Sequence, residues 1–444
     1  MTTRNVPFEE RANSTPDVPT DHEPVTRQQW KWSVLAGMAS YLDAGSIVAL
    51  GASLKAFEDE FHLSKGNVGA LQAIGPNAIG CALGAFVGGW LGDKLGRKRI
   101  YQWDLLVYAA GILSIACAVN TLMLFLGTFI VGVAVGADVP TSLALVGEFA
   151  PAKARGKLLG FTQVAWCLGP SVVLWLAMAL APLGLWGNRI LFLHLLVVAL
   201  VTWALRRGLA ESARWKTAAA SAKEQMTALL TPANIRAMLW TGIIYLFWNL
   251  TAGTNGAFGA YFNRVLLGGA DVSATRAQAV GTGLASLSFL CTMIGTVFIF
   301  MPFSDRSFRA RKWLWGVGSI VQIGAWGMLM FVPYTVSTVF ANTIMYGVGA
   351  ALAGEAFYKV FSQELFPTMQ RGTAQGITFG VARTLLGVWS FIAPMLISEV
   401  NPNFHALALM LTAFLVISGA VGFFFMPDTS GKSLEQIAAE RASS

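Results

Sequence analysis

Gly89-Trp90-Leu91-Gly92-Asp93-Lys94-Leu95-Gly96-Arg97-Lys98-Arg99 is a short basic turn set between two long apolar runs. One acidic and four basic residues sit where two membrane-length segments meet, so the positive-inside rule marks this loop as cytoplasmic and orients its neighbours. The composition around it is that of an integral membrane protein. Hydrophobic residues make up 55% of the 444 and charged residues 12%, and the mean hydropathy is +0.59, outside the range of ordinary soluble domains. The net charge of +8 is gathered in short loops, where it serves topology, so no nucleic-acid partner is expected. Cys81, Cys117, Cys167 and Cys291 lie in apolar segments without metal-ligand spacing and read as small core residues. Neither a metal nor a cofactor is expected, and no nucleotide loop or nucleophile elbow points to an enzyme.

Runs long enough to span a bilayer, about 20 residues each, fall near 32–54, 67–91, 101–120, 122–148, 158–181, 189–206, 237–263, 279–302, 313–333, 336–364, 373–397 and 404–426. The expected fold is all-α and integral to the membrane, with about twelve transmembrane helices in two six-helix halves. The boundaries read as a polar, disordered cytoplasmic tail over 1–27, a first half over 28–206, a cytoplasmic loop over 207–236, a second half over 237–428 and a cytoplasmic tail over 429–444. Loops after the second, fourth, eighth and tenth runs carry the basic residues, so both termini are expected in the cytoplasm of a multi-pass protein of the cell (plasma or inner) membrane. A monomer in the lipid bilayer is expected.

An internal repeat supports the division. Glu148-x-x-Pro151-x-x-x-Arg155-Gly156 returns as Glu364-x-x-Pro367-x-x-x-Arg371-Gly372, and Asp93 with Arg97 finds counterparts in Asp305 and Arg309. Two unrelated motifs returning at nearly one offset mean a duplicated unit, as in transporters built from repeats.

At these residues the chain resembles the major facilitator superfamily, whose loop between helices 2 and 3 reads Gly-x-x-x-Asp-(Arg/Lys)-x-Gly-Arg-(Arg/Lys). Gly89, Asp93, Lys94, Gly96, Arg97 and Lys98 match it. The repeated Glu-x-x-Pro-x-x-x-Arg-Gly, the element Glu211-Ser212-x-Arg214-Trp215 and the tail Pro427-Asp-Thr-x-Gly-Lys-Ser-Leu-Glu435 resemble the sugar-porter branch and its metabolite-transporter relatives. The resemblance implies alternating access, with a substrate site near the bilayer midplane between the halves. It also implies a cytoplasmic gate of Asp93, Arg97, Glu148, Arg155, Asp305, Arg309, Glu364 and Arg371. Asp93 is expected to accept charge-assisted bonds across the seam, with Glu148 beside Arg155 and Glu364 beside Arg371.

An ionisable residue inside a spanning helix is costly and therefore a functional candidate. Asp43, Asp138, Glu355, Lys359 and Arg383 are such residues, while His194 lies in an outer helix and reads as structural. Proton-coupled sugar porters place a titrating aspartate in helix 1, and Asp43 is the matching candidate proton carrier. The arginine those porters place in helix 4 is Thr128 here. Asp138, two residues before the helix-loosening Pro140, is a second carrier or a helix cap. Glu355 and Lys359 share a helix face, either as a self-neutralising pair or as a site where Lys359, with Arg383, faces a carboxylate or hydroxyl.

Sugar porters bind hydroxyls with amides and sugar faces with aromatic rings. Gln163 falls where that branch has a sugar-binding glutamine, and Asn255 matches its helix-7 asparagine. Asn249 keeps an amide where glutamines are missing, and Lys359 stands where the family has a tryptophan. Trp166 and Trp248 are candidates to stack on a substrate. The leading expectation is a secondary active transporter: proton-coupled symport of a small polar metabolite, such as a sugar, polyol or carboxylate-bearing sugar acid, with the proton gradient as energy source. The alternatives are a proton-driven efflux antiporter for drugs or metabolites and a nontransporting membrane receptor or sensor.

Overall fold

A long apolar segment in lipid satisfies its backbone polar groups within itself, so each run closes into a helix. The computed structural model describes residues 25–207, 211–212, 214–217, 227–267, 274–396 and 404–442. The expected disordered tail lies outside the described residues as far as residue 24, and the expected central loop is described only in part. No strand occurs among the described residues. In chain order the spans are Arg27–Glu60, then Lys65–Ile74 with Ile79–Leu95, Arg97–Ala116, Thr121–Phe149, Arg155–Leu180, Leu185–Arg206 and Pro232–Leu267. Ala274–Gly295 follows, continued by a π-helical turn at Thr296–Phe300 and by Met301–Phe303. The last four are Phe308–Met328, Val336–Leu352 with Glu355–Glu364, Arg371–Ile392 and Phe404–Phe424. This is the all-α membrane architecture of about twelve spans read from the hydropathy. Large apolar side chains such as Trp103, Leu122, Val197, Phe298, Ile320 and Phe424 remain exposed and form the lipid-facing surface.

Local signals explain the ends. Thr26 and Gln29 form a capping box at the first span, and Asn120 and Ser307 cap the fourth and ninth through their side chains. Two runs read as continuous, 67–91 and 336–364, are broken. Pro76 removes a backbone donor between Ile74 and Ile79. In the tenth span Gly354 lies so close to the Trp248 indole that a Cβ there would be 2.7 Å from Trp248 Cε2. Polar residues flank both breaks: Asn77 in one and Glu355 after the other. Irregular backbone is tolerated at membrane depth where protein buries it or it lines a cavity.

Glycines set the helix separations within the first half. A Cβ on Gly136 would lie 2.0 Å from the Cys81 carbonyl oxygen, and one on Gly84 would lie 2.0 Å from that of Val133, so the second and fourth spans touch backbone to backbone. Gly136→Val is expected to lose about 3 kcal/mol or more through overpacking against main chain that cannot move aside. A thermal-unfolding curve of purified protein coinciding with that of the parent would refute this. Across the seam, the second span packs on the eleventh and the fifth on the eighth, as a duplicated unit with an approximate two-fold axis requires. The closing segment, expected as a tail, contains a docked helix, Leu434–Ala442. Arg441 Nη2 donates to the Ala233 carbonyl at 2.7 Å and to Asn234 Oδ1 at 3.2 Å.

Candidate functional site

Four charges from both halves meet in the middle of the bundle. Asp43, on the first span, accepts a hydrogen bond at Oδ2 from Trp166 Nε1 at 3.1 Å and stands 3.9 Å from Arg383 Nη2 on the eleventh. Arg383 Nη1 donates to the Asn77 carbonyl and to Asn77 Oδ1, both at 3.2 Å. Lys359 Nζ lies 3.6 Å from Glu355 Oε1 and donates to Gln163 Oε1 at 2.8 Å. Asp43 and Gln163 belong to the first half, Arg383 and Lys359 to the second. Both contacts therefore bridge the seam, and with all four groups ionised the charges cancel.

A narrow pocket opens beside the Asp43–Arg383 pair. Asn77, Trp166, Trp248, Asn249, Phe289 and Arg383 line it. Trp248 is fixed by donating from Nε1 to Gln322 Oε1 at 2.9 Å, and Trp166 lies 5.9 Å from Phe289, ring to ring. Asp43 Oδ1, Asn77 Nδ2, Asn249 Nδ2 and Glu355 Oε2 are buried without a protein hydrogen-bond partner. Aromatic walls with spare donors and acceptors suit a small molecule that presents hydroxyls at its edge and C–H groups on its faces.

The basic end of the bundle, where the short charged loops gather, is closed. Asp93 accepts from the main-chain nitrogens of Gly372 at 3.1 Å and Thr373 at 2.6 Å and from Thr373 Oγ1 at 2.7 Å, capping the eleventh span from the opposite half. Asp305 does the same for the fifth, accepting from the nitrogens of Gly156 at 3.0 Å and Lys157 at 2.9 Å. Each carboxylate sits at a helix N-terminus, where the dipole and free N–H groups favour negative charge. Behind them, Glu148 pairs with Arg97 at 3.1 Å and Arg371 at 3.5 Å, and Glu364 with Arg155 at 3.3 Å and Arg311 at 2.7 Å.

Two expected placements are corrected here. Glu148 is expected beside Arg155 and Glu364 beside Arg371, whereas the two motifs exchange partners: each arginine reaches the other half's glutamate, because the two-fold axis brings the copies face to face. Arg309, the counterpart of Arg97 by offset, is exposed. Arg311 takes that place, 3.4 Å from Asp305, since the turn at Ser304–Ser307 puts two more residues between the acid and its guanidinium than Asp93–Arg97 has. Asp138 lies within the first half, away from the seam, bonded to Ser142 Oγ and 3.3 Å from Arg206.

Trp166, Trp248, Asn249 and Arg383 reach the pocket, and Gln163, Glu355 and Lys359 form the neighbouring cluster. Asn255 does not line the pocket, because the pocket face of the seventh span runs through Asn249, Ala252, Gly253 and Gly256. His194 accepts or donates at Nε2 to Tyr41 Oη at 2.8 Å, a packing role. Sequence reasoning missed Asn77, Gln322, Phe289, Arg311 and Thr373. Pro76 was the available sign of a break at Asn77, and a lone amide in an apolar run was the sign at Gln322.

The Major Facilitator Superfamily sequence model matches residues 34–391. The chain is 38% identical over 421 residues to the minor myo-inositol transporter IolF of Bacillus subtilis (strain 168), covering 92% of this chain and 93% of that protein. It is 26% identical over 424 residues to a putative metabolite transport protein of Haemophilus influenzae, covering 91% and 98%. The proton:xylose symporter XylE, solved with 6-bromo-6-deoxy-D-glucose, has the same fold, with a TM-score of 0.76 at 17% identity over 93% of this chain and 98% of that one.

Proposed function

The chain belongs to the Major Facilitator Superfamily, and from that premise we propose that it is a proton-coupled symporter of an uncharged polyhydroxy ring compound, a cyclitol or sugar, working by alternating access. The relatives that share its length are transporters of sugars and metabolites. The observation that carries this reading is the charge-balanced central cluster: Asp43 faces Arg383 across the seam, and Lys359 faces Glu355 on its own helix and donates to Gln163 across the seam. A neutral, hydroxyl-rich solute can enter such a site without leaving an uncompensated charge. Its hydroxyls would compete for the Lys359–Gln163 bond, while a proton on Asp43 would remove the charge that faces Arg383. Substrate and proton would then each loosen one bridge between the halves, which links loading to rocking. The likeness to a myo-inositol transporter supports the ring-polyol class. With the basic end cytoplasmic, the closed gate there corresponds to a state shut toward the cytoplasm.

The test is uptake into proteoliposomes. Purified protein should accumulate myo-inositol against its gradient when the outside is made acidic, and an imposed potential, negative inside, should drive it as well, because a neutral substrate moving with a proton carries net charge. Uptake indifferent to both gradients would overturn the symport reading. Accumulation of a carboxylate that is driven by pH but not by potential would overturn the uncharged-substrate reading, since an anion with one proton is electroneutral.

Lys359→Met is expected to lower kcat/KM by about 30-fold or more, since removing one partner of a buried hydrogen-bonded ion pair costs about 2 kcal/mol or more. The double variant Glu355→Gln, Lys359→Gln should recover part of that loss by restoring neutrality. Transport kinetics of Lys359→Gln, Glu355→Gln and the double variant decide it: a double variant whose loss in free energy equals the sum of the two single losses would deny the coupling.

A further inference from the structure

Within the first half, on the spans that begin at Arg97, Thr121 and Leu185, two carboxylates share one guanidinium. Arg206 Nη1 lies 3.3 Å from both Asp138 oxygens and 3.9 Å from Asp104 Oδ2. Its Nε and Nη2 donate to the Leu35 carbonyl at 3.2 and 2.9 Å, and its Cζ lies 3.8 Å from the centre of the Tyr101 ring. The guanidinium is thus held from several sides. All three charged groups are buried: Asp104 is 6% exposed, Asp138 5% and Arg206 1%. Asp138 is well served, with Arg206 and Ser142 Oγ both donating to it. Asp104 is not: its Oδ1 accepts from the Leu105 nitrogen at 2.6 Å, while its Oδ2 faces the cluster with no donor. A narrow cavity lined by Ala39, Leu42, Asp104, Tyr108, Ala134 and Asp138 lies alongside.

We propose that Asp104 and Asp138 hold one proton between them, forming a proton-binding site in the first half separate from the Asp43 pair. The charge count motivates this. Two ionised carboxylates beside one arginine would leave a net negative charge on groups buried in the protein, whereas one proton makes the cluster neutral. The proton supplies what the geometry lacks, a donor at Asp104 Oδ2 toward the Asp138 carboxylate, which remains the ionised partner of Arg206. The titratable and charged groups facing the pair are Tyr101 and Tyr108 from the third span, Asp104 and Asp138 themselves, and Arg206 from the sixth; the first span contributes the Leu35 main-chain carbonyl. Tyr108 Oη is directed to the Leu42 carbonyl at 3.4 Å. All these groups belong to one half. The site therefore differs in kind from Asp43, whose partner arginine lies across the seam.

Infrared difference spectroscopy on the full-length protein tests the proposal. Asp104→Asn and Asp138→Asn should each abolish one protonated-carboxyl carbonyl band near neutral pH, because either change leaves a single carboxylate matched by Arg206 and so ionised. If neither variant loses a band, the shared proton is refuted. Should an asparagine variant fail to fold, an Asp43→Asn protein with Asp104 and Asp138 intact keeps the question open to measurement. It must retain a protonated-carboxyl band near neutral pH that disappears on alkaline titration, and absence of that band overturns the proposal.

Discussion

Replacing Asp43 with asparagine is expected to leave exchange of labelled for unlabelled substrate intact while bringing the internal-to-external ratio at steady state down to about one. Asparagine keeps the shape of the protonated acid and can still accept from Trp166, but it cannot take up or release a proton. A single charge moving through about 100 mV is worth about 2.3 kcal/mol, an accumulation of about 50-fold. The variant should lose that factor and little else. Arg383→Gln should behave differently, since it leaves Asp43 ionised, buried and without its counter-charge, and overall transport should fall along with coupling. Exchange and net uptake in the same proteoliposomes separate the two. An Asp43→Asn protein that accumulates substrate as the parent does would remove Asp43 from the coupling mechanism.

That prediction rests on a partnership the one-dimensional pattern did not reveal. Asp43, Glu355, Lys359 and Arg383 stand out in the sequence because a charge in an apolar run is costly wherever it falls. Which charge meets which depends on the packing of the halves. Thr128, in the fourth span, supplies no charge to Asp43: its hydroxyl donates to the Leu124 carbonyl at 2.8 Å and its methyl group fills the space under Gly75. The counter-charge to Asp43 comes from Arg383, in the opposite half, so the contact lies between the halves. The fold was far more legible, since span length, basic loops and the repeated Glu-x-x-Pro-x-x-x-Arg-Gly are properties of the string itself. Arg309 shows where that legibility ends: an offset carries a motif to its copy, but a turn longer by two residues passes its role to Arg311. Breaks inside apolar runs are hard to read for a related reason, because the backbone groups freed at Asn77 and Ala353 are satisfied by tertiary partners. Gln322 Nε2 donates to the Ala353 carbonyl at 2.5 Å, a bond that hydropathy cannot foresee.

Asp93→Asn is expected to shift the protein toward the state open at its basic end by about tenfold, or about 1.4 kcal/mol. The carboxylate serves two main-chain N–H groups and a hydroxyl at the start of the eleventh span and also holds Arg97 at 2.5 Å. A hydrogen bond to a charged group is worth about 1.5–3 kcal/mol, roughly twice a neutral one, and the amide keeps one acceptor while losing the charge. Asp93→Ala, which removes both oxygens, should shift the balance further, by about 100-fold. Spin labels at the exposed positions Arg99 and Arg309, one on each half, report the opening as a growing population of longer distances. Asp305→Asn offers the matching test on the other half, where Gly156 and Lys157 are the donors. If the two carboxylates act as independent caps, their effects on the equilibrium multiply. If the seam opens as one unit, the second substitution adds little once the first has broken it. A distance distribution unchanged by Asp93→Asn would show that these bonds form equally in both states, and a bond made equally in both states cannot serve as a gate.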